Sequence, residues 1–381
     1  MSLQGAMKVI KILKREGYEA YVVGGAVRDY LLRIESEDVD ITTNAKPYQV
    51  SKLFKTKPTG LKYGTVTVLF QDDHYEVTTY RVDGEYQDAR HPEEVTYSDE
   101  VIEDVKRRDF TMNGLLMDDE MNIIDYVNGK ADLEAKMIRA IGDPKARFNE
   151  DALRMMRAFY FQAKLGFQID KETREAISEQ KNHIKEIANE RVLAEMIKIL
   201  RSKFIRRSFK SMITTGVHEV LPGLKAGIEY FSEHAQKLFV DVFFTASFAL
   251  NQGVVPESWT FSNKYKHRYQ VASKLANENT KIQAMDLYQY GLELCLLANK
   301  VNFVLGRAKL QSVEIQKTYH ELPITSEVDL KLRATDMIEI TGKKAGAWVK
   351  LMQKRMVIEV LEHHLKNDYE TLKTFMLNHL E

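Results

Sequence analysis

Over the first third of the chain, apolar and polar residues alternate in short β-branched runs. These are YEAYVVGG (18–25), DVDITT (38–43), TVTVLF (65–70) and HYEVTTYRV (74–82), each flanked by turn residues. Period-two alternation bounded by turns predicts strands. From about Pro144 the period changes. EDALRMMRAFYFQAKLGF (150–167), ANERVLAEMIKILRS (188–202) and GAWVKLMQKRMVIEVLEHHL (346–365) place apolar residues at helical spacing. Between residues 145 and 321 there are only two prolines, Pro222 and Pro256, as a helical region requires. Loops are expected at 214–227 and 251–259, and a further break at 320–330. The pattern predicts an α+β head with a small mixed sheet, followed by an all-α remainder.

Composition adds exclusions. The chain has 381 residues, 44% hydrophobic and 29% charged, enough for real cores and unlike a disordered chain. Its 55 basic and 55 acidic residues balance, so a polyanionic partner would have to be met by local basic patches. One cysteine, Cys295, excludes a disulfide framework and fits a reducing compartment. The N-terminal segment lacks the apolar core of a signal peptide. The apolar run LFVDVFFTASFAL (238–250) is interrupted by Asp241 and too short to span a bilayer. A soluble cytoplasmic protein without membrane association is expected.

Candidate chemistry concentrates in the head. Asp38 and Asp40 are two apart in a predicted strand, which would put both carboxylates on one face. Two ionised carboxylates side by side call for a cation between them, and Mg²⁺ is the hard ion that also holds phosphates. An exposed strand with polar alternation would look the same in isolation. Upstream, the apolar strand runs through Gly24 and Gly25 into a helix carrying Arg28, a turn suited to close approach by a triphosphate. Glu76 is the candidate third carboxylate, on a face shared with Thr78 and Tyr80; a solvated strand glutamate fits equally.

The ordered set GGAVRD (24–29), DVDITTNA (38–45), KRRDFTMNGLL (106–116) and the long segment 125–167 resembles the bacterial class II tRNA nucleotidyltransferases. This is the CCA-adding enzyme and poly(A) polymerase family, within the polymerase-β-like superfamily. Residues 346–377 resemble the tail of the CCA-adding members. The resemblance implies that Asp38 and Asp40 hold two metal ions and that Gly24, Gly25 and Arg28 bind the triphosphate. It implies nucleotide contacts from Arg107, Arg108, Asp109 and Asn113, where cations suit phosphate and an aspartate suits a ribose hydroxyl. Gly114 departs from the alanine usual there. In EDALR (150–154), the resemblance makes Asp151 and Arg154 an amino-acid template for the incoming base, with Arg157 in the same nucleotide-binding set. On a helix, Asp151 and Arg154 would share a face, and a surface ion pair is the plain alternative. An aspartate accepts from the exocyclic amino groups of C and A, whereas U and G offer a carbonyl there.

Further expectations follow from the resemblance. Glu190, Arg191 and Glu195 belong to a helix that positions the template. The polar stretch 81–97 resembles a flexible loop associated with full CCA addition. The divisions are a catalytic head (1–140), a base-selecting neck (141–210), and a body (211–320) and tail (321–381) that bind tRNA. Two basic patches without acids, 198–210 with Arg206 and Arg207 and 342–355 with Lys343 and Lys344, are candidates for RNA phosphates or simply solvated faces. The expected reaction is addition of C, C and A from CTP and ATP to the tRNA 3′ end with release of pyrophosphate. The alternatives are a poly(A) polymerase, a CC-only or A-only enzyme, or a non-catalytic RNA-binding protein.

Overall fold

The computed structural model describes residues 2–36, 38–83, 95–234 and 238–380. The chain divides into two compact units, residues 1–237 with 258–260 and residues 238–257 with 261–381.

The first unit opens with helix α1 (Leu3–Arg15), capped by the Ser2 hydroxyl accepting from the Gly5 amide. The strands that follow are β1 (Ala20–Val23), β2 (Asp40–Thr43), β3 (Lys55–Gly60), β4 (Thr65–Phe70) and β5 (Asp73–Thr79), with α2 (Gly25–Leu31) and α3 (Pro47–Leu53) between them. A two-stranded ribbon, β6 (Arg81–Asp83) and β7 (Val95–Tyr97), precedes α4 (Val101–Lys106), and β8 (Leu116–Met117) and β9 (Ile123–Ile124) complete the sheet. Seven strands lie in the order β3-β4-β5-β2-β1-β8-β9, with β2 and β5 parallel and the other neighbours antiparallel. The expected mixed sheet is present. Helices α1 and α3 cover one face, over buried Val66, Val68, Tyr75 and Val77, while Val101 and Val105 of α4 join Val23, Tyr80 and Leu116 on the inner strands of the other.

Three strands of the seven-stranded sheet were not expected, nor were the short β7, β10 and β11. In KTKPTG, β3 has no apolar alternation because it is a sheet edge, where lysines and proline discourage further pairing. Strands β8 and β9 have two residues each, too short for any period to register.

The unit continues through α5 (Gly129–Glu134), β10 (Met137–Ile138), α6 (Pro144–Glu150), α7 (Leu153–Leu165), β11 (Gln168–Ile169), α8 (Lys171–Gln180), α9 (Asn189–Leu200), α10 (Ile205–Thr215) and α11 (Lys225–His234). Asp143 caps α6 through the Lys145 and Ala146 amides, with Pro144 at the first helical position, where its missing N–H costs nothing. Helix α7 packs on α9 and α10, and the Ser208 hydroxyl donates to the Phe159 carbonyl at 3.0 Å across that junction.

Among the described residues, the α-helices of the second unit are its only long regular elements: α12 (Val240–Leu250), α13 (Asn263–Glu278), α14 (Ala284–Val304, kinked at Gly291), α15 (Ser312–His320), α16 (Ala334–Thr341), α17 (Ala347–Leu361) and α18 (Tyr369–Asn378). Met337, Met352, Met356, Val360, Leu372 and Met376 form its C-terminal core. Among the described residues, no helix is long and apolar enough to cross a membrane.

Two local expectations are corrected. The helix expected from Glu150 starts only at Leu153, because Asp151 is extended (φ −145°, ψ 100°) and separates α6 from α7. Asp38 precedes β2, which begins at Asp40.

Candidate active site

Strand β1 is followed by Gly24, whose φ of +76° is a conformation that glycine adopts without cost. A Cβ there would stand 3.4 Å from Nη1 of Arg108, so the bare backbone leaves room beside that guanidinium. The turn delivers α2 next to the start of β2. The result is a cleft of about 450 Å³ lined by Gly24, Gly25, Arg28, Asp38, Asp40, Arg107, Arg108, Asp109, Asn113, Asp151, Arg154 and Arg157. Thus twelve residues singled out from well-separated stretches of sequence converge on one space.

Glu76 is not among them. It sits directly across from Asp40 in the parallel β2–β5 pair, but its side chain borders a separate groove over the outer strands. Among the described residues, no cluster of three acidic, histidine or cysteine side chains is close enough to hold a metal ion.

The carboxylates carry unbalanced charge. Neither Asp38 nor Asp40 forms a salt bridge among the described residues, and both are exposed to the cleft. Protein nonetheless surrounds much of the Asp40 carboxyl. That desolvation, then the charge of Glu76, push its pKa up to about 6; Arg108 opposes and Asp38 adds a little more. An oxygen-only donor set with excess negative charge fits a hard divalent cation.

A stability test follows. Asp40 titrates near 6 in the folded protein and near 3.8 when unfolded, so the stability that its protonated form confers is complete below about pH 4 and is lost as pH rises through about 6. Asp40→Asn, which mimics the protonated form, should therefore raise the melting temperature of metal-free protein at pH 7.5. It should give no gain at pH 4. Access of the carboxyl to water keeps the gain smaller than the shift alone implies. Equal melting temperatures at pH 7.5 would count against the crowding of negative charge at this site.

The arginine pair is anchored by an acid that the sequence reading passed over. Asp104 is fully buried: its Oδ1 accepts from Arg107 Nε at 2.8 Å, and its Oδ2 from Arg108 Nη2 at 2.8 Å and from the Thr42 hydroxyl at 3.1 Å. Burial alone would push its carboxyl up, but the charges of Arg108 and then Arg107 prevail and hold it at about 2. The i,i+3 and i,i+4 spacing of Asp104 to Arg107 and Arg108, at the C-terminal end of α4, was the available signal. Arg108 keeps Nε without a protein partner, beside Gly24.

Other polar groups in the cleft wall are bonded to one another. Arg157 donates from Nε to Asp109 Oδ2 at 2.8 Å, while Asn113 Nδ2 and the Phe110 amide donate to Asp109 Oδ1. Burial raises the Asp109 carboxyl, but the Arg157 charge and these hydrogen bonds lower it overall. Arg28, expected to face a triphosphate, is buried yet still lines the cleft, with Nη2 beside Gly25. Its Nη1 donates to Asn113 Oδ1 at 2.7 Å, its Nε to Asp29 Oδ1 at 2.8 Å, and its guanidinium stacks on Phe161. Asp29 supplies the counter-charge here, because a buried arginine requires one.

Asp151 and Arg154 do not form the ion pair expected of neighbours on a helix face. The extended backbone at Asp151 turns its carboxylate to Arg191 of α9 at 3.0 Å, while Oδ1 caps α7 through the Leu153 amide at 3.0 Å. Arg154 donates from Nη1 to Glu150 at 2.7 Å and to the Arg147 carbonyl at 3.1 Å, and from Nη2 to the Arg107 carbonyl at 2.8 Å. Held by separate partners, both line the cleft. Tyr160, Phe161 and Lys164 of α7 and Lys198 of α9 also line it. Tyr160 and Phe161 read as core residues of an amphipathic helix, and Lys198 opens the basic stretch 198–210.

The basic patches are only partly free. In the first, Arg206 Nε donates to the Ser232 carbonyl at 3.1 Å, Arg207 bonds the Gly166 carbonyl, and Lys210 pairs with Glu233 at 3.0 Å. Arg206 and Arg207 border a cavity of about 630 Å³ together with Arg174, Lys203 and Lys210. Lys343 and Lys344 are exposed in the second unit, between α16 and α17. Most of the loop expected at 81–97 lies outside the described residues; only its ends, β6 and β7, are described.

Comparison with known proteins agrees with this architecture. Residues 20–139 match the model of the "Poly A polymerase head domain", residues 166–228 that of the "Probable RNA and SrmB- binding site of polymerase A", and residues 240–376 a tRNA nucleotidyltransferase domain 2 model. The chain is 35% identical over 390 residues to a CCA-adding enzyme of Listeria monocytogenes, covering 99% of this chain and 98% of the relative. It is 35% identical over 389 residues to the CCA-adding enzyme of Bacillus subtilis, covering 97% of each. The crystal structure of the Bacillus stearothermophilus CCA-adding enzyme in complex with CTP superposes with a TM-score of 0.82 at 32% identity, over 99% of this chain and 98% of that one. With its polymerase-β-like head, its helical continuation and full-length identity at this level, the chain belongs to the CCA-adding enzyme family of tRNA nucleotidyltransferases.

Proposed function

We propose that the chain completes the 3′ end of tRNA, adding C, C and A in turn from CTP and ATP without a nucleic-acid template and releasing pyrophosphate. The observation that carries this reading is the convergence of the strand carboxylates, the glycine turn, the arginine pair and the Asp151 helix break on one cleft. Within it, residues 1–140 act as catalytic head, 141–210 as base-selecting neck, and 211–320 and 321–381 as tRNA-binding body and tail. The single buried thiol of Cys295 fits work in a reducing cytoplasm.

Asp38 and Asp40 would hold Mg²⁺. When bound, the metal activates the RNA 3′ hydroxyl and neutralises charge on the leaving pyrophosphate. The protein side is positioning and electrostatics. Gly24 and Gly25 let phosphate oxygens approach the backbone, and Arg108, with Nε unbonded and Nη1 beside Gly24, is better placed than buried Arg28 to meet them. Asp109, Asn113 and Arg157, together with Arg28, form a bonded wall that fixes where the sugar and base can lie. Asp151 and Arg154 then read the base edge.

The test is tRNA lacking its last three nucleotides, incubated with all four NTPs and Mg²⁺, with the product ends sequenced. Ends of CCA that do not extend further support the reading. A poly(A) tail, C-only or A-only products, or binding without extension would each assign the chain to an alternative. The basic patch has its own test. Changing Arg206 and Arg207 together to alanine should weaken tRNA binding and flatten its salt dependence by up to about two phosphate contacts, with NTP binding retained. Unchanged affinity across a salt titration would make the patch a solvated face.

A further inference from the structure

Among the described residues, one face of the outer strands stays open to solvent and continues from Asp40. Strand register runs one row of side chains across it: Asp40 lies opposite Glu76, Glu76 opposite Thr67, and Thr67 opposite Lys57. Directly opposed residues in neighbouring strands project to the same side. The next row is His74, Leu69 and Lys55. Because α1 and α3 occupy the other side, this side is left as a groove of about 650 Å³ lined by Lys55, Lys57, Thr59, Thr67, His74 and Glu76, with Asp72 and Asp73 at its turn end. The Thr59 and Thr67 hydroxyls, 2.5 Å apart, tie the edge strand to its neighbour. Lys55, Lys57 and His74 are exposed. Neither lysine forms a salt bridge among the described residues, whereas Asp73 at the β4–β5 turn accepts from the Ser2 amide and the Tyr75 hydroxyl.

Phosphoryl transfer requires the attacking and leaving oxygens to lie roughly in line through the α-phosphorus. Resting on the reading above, the pyrophosphate leaves toward Gly24, Gly25 and Arg108, on the β1 side of Asp40. The attacking hydroxyl must therefore arrive from the β5 side, over Glu76. We propose that this sheet face is the track for the 3′-terminal nucleotides of the RNA, with the end nucleotide over Glu76 and Thr67 and the preceding phosphodiesters met by Lys57 and Lys55. Lys57 lies three strand spacings of ~4.8 Å from Asp40, about 14 Å. That reach suits a lysine contacting RNA upstream of the reacting end rather than the nucleotide being added. No motif marks it in KTKPTG, and its register to Asp40 exists only in the folded sheet.

The experiment is steady-state and single-turnover C addition to tRNA lacking CCA, with wild type, Lys55→Ala/Lys57→Ala and Lys55→Arg/Lys57→Arg. Both lysines are exposed on an edge strand, and circular dichroism checks that the variants fold. The alanine pair should raise KM for tRNA by about tenfold, leave KM for CTP unchanged and reduce the salt slope of tRNA binding by about 1.4, two single-strand phosphate contacts. The arginine pair should restore both the tRNA KM and the salt slope. Wild-type KM and salt slope in the alanine pair, with C addition intact, would overturn the track while leaving the function standing. A raised KM for CTP with unchanged tRNA KM would overturn it as well. Absence of any addition by wild type would overturn both readings together.

Discussion

Asp40→Asn should lower the rate of nucleotide addition at least about a hundredfold, roughly 2.7 kcal/mol of barrier, while tRNA affinity and fold persist. Asp40 is the first residue of β2, exposed to the cleft and outside every salt bridge among the described residues, so removing its charge breaks no structural contact. Its environment makes the ionised form costly, with burial and Glu76 pushing it up to about 6. A structural carboxylate would be neutralised by a fixed partner, as Asp104 is by Arg107 and Arg108. An unneutralised one at the centre of a phosphate-sized cleft is instead suited to a metal ion that arrives with the nucleotide. The variant separates chemistry from binding. Turnover should collapse in a protein that is at least as heat-stable as wild type at pH 7.5. Retention of more than about a tenth of wild-type turnover would remove Asp40 from the metal site.

Much of this was legible in the sequence, for identifiable reasons. Strands β1, β2, β4 and β5 are short runs rich in β-branched or apolar residues between turn residues, and that composition reported them. The chemistry lies where strands end, and glycines and acids at strand ends stand out against apolar runs. What the sequence could not convey was partnership. Nothing in GGAVRD says that Arg28 turns inward to Asp29 and Asn113, because that choice depends on Asn113, 85 residues away. Likewise EDALR scans as one helix, since its residues are acceptable helix formers. The break at Asp151 is set by Arg191 from α9 and by the cap that its own carboxylate gives to Leu153. Asp104 was readable and missed, hidden in a charged helix whose burial came only with the sheet beneath it. The groove beside Glu76 depends wholly on strand register.

The most direct measurement concerns the template itself, Asp151 and Arg154. They are held by different partners, so each can face a base as an independent group. Arg191 and the Leu153 amide occupy part of the acceptor capacity of Asp151, and an ionised carboxylate has lone pairs to spare. Arg154 uses both Nη1 hydrogens and one on Nη2 in protein bonds, which leaves Nε–H and one Nη2–H as donors. An acceptor beside two donors matches the amino group and ring acceptors that C and A present, and it opposes the carbonyl of U and G. Sites built to hydrogen-bond a group reject analogues lacking it by about 10⁴–10⁵, because their own polar atoms would go unpaired. Asp151→Ala also removes the cap of α7, at a cost of about 1 kcal/mol of stability, but that loss falls on every nucleotide alike. The ratio of kcat/KM for CTP to that for UTP is therefore the clean observable. This ratio should fall at least about a hundredfold in Asp151→Ala, whereas Arg154→Ala should weaken CTP and ATP together. A CTP-to-UTP ratio in Asp151→Ala equal to that of wild type would contradict base selection by these side chains.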